Sequence, residues 1–186
     1  MCLIQRLWRN NLFKLRVYHT NDDDPKKCTA RKMSRLGYAL LHTKIRELPP
    51  NMILLNPFSK KSLSPEDSNH AKNHGVLAVD CSWKTAEQQF FELSKTHVSR
   101  ALPFVIAVNP VNFGKALKLT TLEAFAAAVY ILGNPKQAEQ LTSIYNWGPH
   151  FLTMNKNPLE DYRTAKTSAE VIQRMHEYLP AEEDEV

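Results

Sequence analysis

Short apolar runs alternate with amphipathic stretches along the first half of the chain. The runs at 52–57 (MILLNP), 76–79 (VLAV) and 103–108 (PFVIAV) are too short for helices and are typical of strands buried on both faces. Residues 14–19 (KLRVYH) indicate a further strand. Helical stretches separate these runs, so the pattern predicts an α/β fold with a parallel sheet.

Capping residues and helix-breaking residues predict the ends of the first helices. Thr29 is the predicted cap of a short basic helix that stops at Gly37, and a second helical stretch follows before Pro49. Ser64 precedes a proline and two acids, which is typical of a helix start, and Gly75 ends that helix. A further helix is predicted directly after VLAV, over SWKTAEQQFFELSK.

The pattern changes after Lys118. The stretch TTLEAFAAAVYILGNP begins with a capping box, Thr120 and Glu123, and is apolar on nearly all sides, which predicts a central buried helix ending at Gly133. Further helices are predicted at 135–146, 148–154, 157–165 and 167–179. The sequence therefore predicts an α/β front half and a helical back half.

Composition and charge narrow the class of protein. The 186 residues are 43% hydrophobic and 23% charged with five glycines, which is ordinary for a folded globular chain. The net charge is +5 although the acids at 182–185 end the chain, so the folded part is distinctly basic. Such a surplus favours polyanions, although a plain cationic surface accounts for it equally well.

The cysteines and the N-terminus predict the compartment. Three cysteines at these spacings match no zinc or disulfide framework, which favours a reducing cytoplasm. Arg6 and Arg9 interrupt the apolar N-terminal stretch before a signal-peptide core can form. No run approaches the ~18–20 apolar residues that a membrane helix needs, so we expect a soluble cytoplasmic protein without a membrane partner.

Two predicted strands end in polar residues. Ligands of open α/β sheets bind beyond the carboxyl ends of the strands. Asp80 and Trp83 follow the VLAV strand, and they are either a helix cap and a core aromatic or a reactive carboxylate beside an apolar wall. Asn109, Asn112 and Gly114 follow the other strand in a loop that is either a plain connection or a set of backbone groups for a planar heterocycle.

We expect no metal site. His70 and His74 stand four residues apart without a third ligand nearby, and Asp22–Asp24 is typical of a solvated turn. Cys81 has no identifiable activating base, which favours a packing role over a nucleophilic one.

Four segments together resemble one family. These are DDDPKKCTARKMSRLG at 22–37, DCSW at 80–83, RALPFVIAVNPVNFGK at 100–115 and KLTTLEAFAAAVYILG at 118–133. They resemble the archaeal and eukaryotic aminocarboxypropyltransferases that modify small-subunit ribosomal RNA, and the resemblance spans about residues 14–165. It implies S-adenosylmethionine as donor and a SPOUT-like, trefoil-knotted donor site. It also implies transfer of the 3-amino-3-carboxypropyl group to N3 of a hypermodified pseudouridine, with methylthioadenosine as the by-product.

The resemblance implies roles for individual residues. Asp80 and Trp83 are the implied catalytic residues: Trp83 walls off the donor methyl group, and Asp80 either contacts the cationic end of the donor or helps to remove the imide proton of the acceptor. The implied donor-binding residues are Thr29, Val79, Leu102, Leu117 and Thr121. Among them Thr121, at a helix start, suits the donor carboxylate. The candidate RNA-binding residues are Lys27, Arg31, Lys32, Arg100, Lys115 and Lys118.

The expected architecture follows from these assignments. We expect an N-terminal extension (1–13), a smaller α/β part with a basic RNA-facing surface (14–78), a mostly helical knotted donor-binding part (79–180) and an acidic tail (181–186). The expected partner is small-subunit rRNA or a pre-ribosomal particle, and the helical half favours a monomer. Two alternatives stay open: a SPOUT-class RNA methyltransferase and a non-catalytic RNA-binding assembly factor. The two enzymes would release different by-products, and the assembly factor would bind no donor.

Overall fold

A five-stranded parallel sheet forms the front half of the protein. The computed structural model describes residues 12–20 and 28–180, and of Trp83 and Lys84 it describes the backbone alone. Every neighbouring pair of strands is parallel, in the order β2-β1-β4-β3-β5. The strands are β1 (Leu15–His19), β2 (Leu40–His42), β3 (Ile53–Leu55), β4 (Val76–Asp80) and β5 (Val98–Arg100).

Eight helices are described around and after this sheet. They are α1 (Thr29–Arg35), α2 (Ser68–His74), α3 (Trp83–Ser94), α4 (Thr121–Ile131), α5 (Pro135–Thr142), α6 (Pro149–Met154), α7 (Lys156–Thr164) and α8 (Ser168–Met175). Short 3₁₀ turns lie at Ile45–Glu47, Pro65–Asp67 and His176–Tyr178. The prediction of an α/β front half followed by a helical back half is therefore confirmed. None of the described helices has the length and apolar character that crossing a bilayer requires.

Alternating residues of the strands build two apolar layers. On one face, Leu15, Val17 and Ala78 join a large core that extends through α4 to the C-terminal helices. On the other face, Tyr18 and Leu77 pack against α3 in a smaller core. This period of two is what a strand buried on both faces requires. His19 and Asp80 continue the register of the first face, so their side chains point toward the large core.

The cap predicted for the first helix is wrong by one residue. Cys28, not Thr29, is the N-cap of α1, and its sulfur accepts a hydrogen bond from the Arg31 backbone N–H at 3.4 Å. Thr29 is the first helical residue. Gly37 adopts φ +81° just past the helix end, as a stop signal should.

The helix predicted between Gly37 and Pro49 is also wrong. Leu40–His42 pairs with β1 as the edge strand β2, and only the 3₁₀ turn Ile45–Glu47 follows. The tertiary pairing with β1 overrides the weak local preference of this stretch.

The strand predicted at 103–108 is not part of the sheet. The fifth strand is instead Val98–Arg100, which the sequence pattern missed because its three residues alternate without an apolar run. Residues 103–108 are largely buried as expected, but their backbone groups bond to side chains of the helical half. Burial produced the apolar run there, and the segment pairs with its own following loop through the isolated antiparallel bridge Ile106↔Ala116 and not with the parallel sheet.

The large core draws residues from both halves of the chain, from Phe13 beside β1 to Val171 in α8. The division between residues 78 and 79 stays a prediction. Most of the N-terminal extension and the acidic tail lie outside the described residues.

Candidate active site

Three reactive side chains meet at the carboxyl end of the sheet. His19 and Asp80 are paired residues at the ends of β1 and β4, and Cys28 lies above them at the start of α1. The Cys28 thiol donates to Asp80 Oδ2 at 3.2 Å, and its sulfur lies 3.4 Å from His19 Nε2. His19 Nε2 is 3.9 Å from Asp80 Oδ2. We call these three residues the strand-end cluster.

Asp80 is the solvent-facing member of the strand-end cluster. Its side chain keeps 13% of its surface exposed, whereas the His19 side chain has none. The N-cap of α3 is Ser82, two residues after Asp80. The interpretation of Asp80 as the N-cap residue is therefore wrong.

The strand-end cluster is also where the described residues could hold a metal. Its three ligand atoms lie within 4.8 Å of one another, and no other such group occurs within 12–20 and 28–180. Burial raises the pKa of the Cys28 thiol to about 11, so the sulfur keeps its proton at neutral pH. The hydrogen bond that the Cys28 thiol donates to Asp80 accounts for the close contact between these two side chains.

A buried carboxylate organises the loop before α4. Glu123 Oε1 accepts the backbone N–H groups of Val108 at 2.8 Å and Asn109 at 3.0 Å. Glu123 Oε2 accepts from Asn109 Nδ2 at 2.8 Å and from the Thr120 N–H at 2.8 Å and hydroxyl at 2.9 Å. One fully buried side chain thus holds both ends of residues 108–120. We call this segment the pinned loop.

Leu117 stands out within the pinned loop. It adopts φ +56°, a conformation that residues other than glycine rarely adopt, and its side chain is 51% exposed. Its N–H donates to the Val105 carbonyl at 3.0 Å, which fixes the strained backbone. Such strain persists where the surroundings over-determine it, and it is common at ligand sites.

The helical half supports the segment that leads into the pinned loop. The Asn155 side chain accepts from the Ile106 N–H at 2.7 Å and donates to the Ile106 carbonyl at 2.9 Å, as a neighbouring strand would. The Tyr162 hydroxyl donates to the Phe104 carbonyl at 3.0 Å. These bonds replace the ladder that the predicted strand would have made.

Comparison with known proteins assigns the chain to a family. The family described as "Ribosome biogenesis protein, C-terminal" matches residues 53–179. The 16S rRNA aminocarboxypropyltransferase of Methanococcoides burtonii is 51% identical over 168 residues, which cover 90% of this chain and 95% of that protein. The enzyme of the same name from Halobacterium salinarum is 45% identical over 92% of this chain and 99% of its own length. The chain belongs to the 16S rRNA aminocarboxypropyltransferase family.

A solved structure agrees with this assignment. The SAM-dependent rRNA:acp-transferase Tsr3 from Vulcanisaeta distributa superimposes with a TM-score of 0.80 at 35% identity. The match covers 89% of this chain and 95% of that one. The resemblance found in the sequence motifs is thereby confirmed, together with a mixed α/β fold on a parallel five-stranded sheet.

A second family model matches the first part of the chain, but its implied cofactor does not suit the residues present. Residues 13–46 match a family described as "Possible Fer4-like domain in RNase L inhibitor, RLI". Iron–sulfur clusters of that kind are held by four cysteine thiolates. This chain has three cysteines in total, and Cys28 is the one within 13–46. The residues present therefore do not fit an iron–sulfur cluster.

The residues that the family resemblance implies as donor-binding fall into two groups. Thr29 and Val79 lie next to members of the strand-end cluster, Cys28 and Asp80. Leu117 belongs to the pinned loop, Thr121 begins α4 and Leu102 is a half-buried residue packed on the large core. Helix α4 packs against both β4 and α1, which joins the two groups. Trp83 begins α3, and its side chain lies outside the described part of the structure.

The candidate RNA-binding residues are in different environments. Arg100 pairs with the buried Asp67, with Nε donating to Oδ1 at 2.9 Å and Oδ2 at 3.0 Å. Lys32 donates to the Ile144 carbonyl at 3.0 Å and lies 3.7 Å from the centroid of the Tyr145 ring. These contacts give both residues a role in holding the fold together, and their assignment to RNA stays a prediction.

The remaining members of that set are closer to the expected surface. Lys115 and Lys118 are exposed on the pinned loop, and Arg31 is half-buried on α1. Lys27 lies outside the described residues.

Sequence reasoning missed several residues of the site. The sequence pattern predicts Glu123 as half of a capping box, and the apolar run beside it gives no sign that the same carboxylate holds Val108 and Asn109. No local pattern marks His19 and Cys28, because their partner, Asp80, is more than 50 residues away in sequence. Asn155 carried no local signal.

Proposed function

We propose that this protein transfers the 3-amino-3-carboxypropyl group from S-adenosylmethionine to small-subunit ribosomal RNA during ribosome biogenesis. The observation that carries the proposal is the 51% identity, over nine-tenths of the chain, to a protein named 16S rRNA aminocarboxypropyltransferase. The rRNA is therefore the proposed partner, on its own or in a pre-ribosomal particle. We further propose a SPOUT-like knotted donor site, a monomer and action in the cytoplasm.

The pinned loop and the start of α4 suit the donor. A fixed loop with a strained Leu117 presents backbone groups in one geometry, which is what recognition of an adenine by main chain needs. The first turn of an 11-residue helix begins at Thr121, and unpaired amides there favour a carboxylate such as that of the donor. Val79 and Leu102 would add apolar contacts from the strand ends.

Selection among the three carbons on the donor sulfur depends on alignment. Each carbon is electrophilic, so the one held in line with the acceptor nitrogen reacts. We propose that Trp83 covers the methyl group and leaves the aminocarboxypropyl chain open to the RNA.

The chemical step requires the loss of one proton. The acceptor nitrogen forms a bond to the terminal carbon of the propyl chain, the bond from that carbon to sulfur breaks, and methylthioadenosine leaves. The imide proton of the acceptor must go to a base or to water. Asp80 is the partly exposed carboxylate at the strand ends and is suited to take it, with Cys28 and His19 holding its orientation.

Two labelled donors test the proposal. The protein is incubated in parallel with donor labelled in the carboxyl group and in the methyl group, together with small-subunit RNA from a strain that lacks the enzyme. We expect the carboxyl label alone to reach RNA. Methyl label in RNA would identify a methyltransferase, and no label with no donor binding would identify a non-catalytic assembly factor.

A further inference from the structure

Two apolar side chains protrude from the tip of the pinned loop. Val111 is 78% exposed and Phe113 is 64% exposed, although large apolar side chains are normally covered. Neither is needed for the contacts between the loop and Glu123. Within the described residues, no aromatic ring or cation packs on the Phe113 ring.

The turn that carries Phe113 is rigid. The Asn112 N–H donates to the Asn109 side-chain oxygen at 3.0 Å, and the Gly114 N–H donates to the Ala107 carbonyl at 2.9 Å. Gly114 adopts φ +79°, which the turn requires and which glycine tolerates without strain. Because Glu123 holds the base of the same loop, little conformational freedom remains to be lost when the ring meets a ligand.

The charged residues near Phe113 in the sequence are all basic. Lys115 and Lys118 are exposed on the same loop, and the sequence contains no aspartate or glutamate between Glu92 and Glu123. An exposed aromatic ring flanked by lysines is the combination that binds unpaired bases while contacting the neighbouring phosphates. A protein partner that covered this apolar tip would need acidic residues to meet the lysines, whereas RNA supplies both the flat base and the charge.

We propose that Phe113 is a stacking platform for an unpaired RNA base at or beside the modified nucleotide. The inference rests on the proposed function, since the ring lies four residues from Leu117 and eight from Thr121, the proposed donor-binding positions. The pinned loop then has two sides: its main chain holds the donor and its tip holds the acceptor strand. An unpaired base stacked there is removed from its helix, as chemistry on a base requires.

Phe91 provides a matched control. It is also 64% exposed, but it lies on α3 with the Lys95 ammonium 4.8 Å from its ring centroid, and Lys95 is itself paired with Glu92. Removal of either phenylalanine deletes the same exposed surface. A difference in RNA affinity between the two variants therefore reflects the position of the ring and not non-specific hydrophobic binding.

The test titrates the full chain with a fluorescent oligouridine of about 12 nucleotides, within the usual site size of single-strand binders. We expect Phe113→Ala to weaken binding roughly 5- to 150-fold, the equivalent of one stacked base. Phe113→Leu should be as weak as Phe113→Ala because it keeps apolar volume without an aromatic face. Phe113→Tyr and Phe91→Ala should bind within about twofold of the wild type.

The affinities of these variants decide whether Phe113 stacks on a base. Wild-type affinity in Phe113→Ala, or in Phe113→Leu, would overturn the stacking proposal and leave a protein partner as the occupant of the tip. Donor affinity measured by calorimetry shows whether each variant keeps its folded loop. If the wild type transfers neither label to RNA, the proposed function fails, but the oligouridine titration still decides the stacking because it needs no turnover.

Discussion

The strand-end cluster and the pinned loop are both parts of the candidate site, but they are held in place differently. His19 and Asp80 sit at the ends of adjacent strands whose register is fixed by five paired positions. The pinned loop has no such ladder, and the carboxylate of Glu123 makes five hydrogen bonds that hold its two ends. The first part is secured by the regular ladder of the sheet, and both ends of the second depend on one residue, although bonds such as Leu117 N–H to the Val105 carbonyl also hold its middle. A substitution in the strand-end cluster should therefore lower activity with little loss of stability. A substitution of Glu123 should lower both stability and donor binding.

Removal of Glu123 should have the largest effect. Glu123→Ala leaves the buried N–H groups of Val108 and Asn109 and the half-buried N–H of Thr120 without this acceptor, so we expect a loss of about 3–5 kcal/mol in the free energy of unfolding. Urea unfolding measures this loss, and calorimetry should show weakened donor binding.

Two variants make the Glu123 result interpretable. Glu123→Gln keeps one acceptor oxygen and should lose less, about 1–3 kcal/mol, which leaves a folded protein for donor binding. Glu139→Ala removes an exposed glutamate from α5 and should change stability by no more than about 0.5 kcal/mol. A Glu123→Ala protein as stable as this control would refute the role of the carboxylate.

Asp80→Asn should lower activity strongly and stability very little. The amide can still accept from the Cys28 thiol, so the unfolding midpoint should stay close to that of the wild type. Transfer of the carboxyl-labelled group should fall about 100-fold or more, because an amide cannot take the proton. Single-turnover transfer and urea unfolding on the same sample measure both. Glu87→Gln, on the exposed side of α3, is the control; full activity in Asp80→Asn would exclude Asp80 as the base.

The Cys28 thiol makes the strand-end cluster sensitive to alkaline pH. Its pKa is raised from the ordinary value of 9.0 to about 11, first of all by burial. Between these two values the unfolded chain loses the proton first, so the contribution to stability is complete below pH 9.0 and disappears as the pH rises through about 11. The loss should amount to about 1–3 kcal/mol.

Cys28→Ser isolates this contribution. Serine also caps helices and donates to a carboxylate, but it does not titrate in this range. The difference in unfolding free energy between the wild type and Cys28→Ser should therefore shift in favour of the variant across the window. Parallel pH profiles of the two proteins would contradict the raised pKa.

The smallest effect should come from the lysines of the pinned loop. Replacing Lys115 and Lys118 together with alanine removes two exposed charges. The slope of the logarithm of RNA affinity against the logarithm of salt concentration should fall by about 1.4 for a single strand. The pair Lys72 and Lys136, exposed on other surfaces, serves as the control. Equal salt-dependence slopes for the two double variants would show that RNA does not bind at the pinned loop.

Local signals made much of the fold predictable from the sequence. The capping box of Thr120 and Glu123 is present with both of its hydrogen bonds, and Gly75 and Gly133 end their helices in positive-φ conformations. The apolar runs at β3 and β4 are strands, because residues buried on both faces leave a continuous apolar pattern.

The errors share a physical cause. The run at 103–108 is buried like a strand, but its partners include the side chains of Asn155 and Tyr162, about 50 residues away, and none of the strands of the sheet. β5 is a strand because Leu54 and Leu55 pair with it and not because of its own composition. Motifs in the sequence identified Asp80 and the pinned loop, whereas the residues that position them bond across distances that no local pattern records.

One long-range contact bears on how the chain assembles during synthesis. The Gln137 side chain accepts from the Phe13 N–H and donates to the Phe13 carbonyl, both at 2.9 Å, across 124 residues. The residue before the first strand can therefore form these bonds only after the helix that contains Gln137 has been synthesised. At the usual pace of translation, the 124 residues between them take about 6–25 s. Until then Phe13, Leu15 and Val17 lack the helices that complete their core.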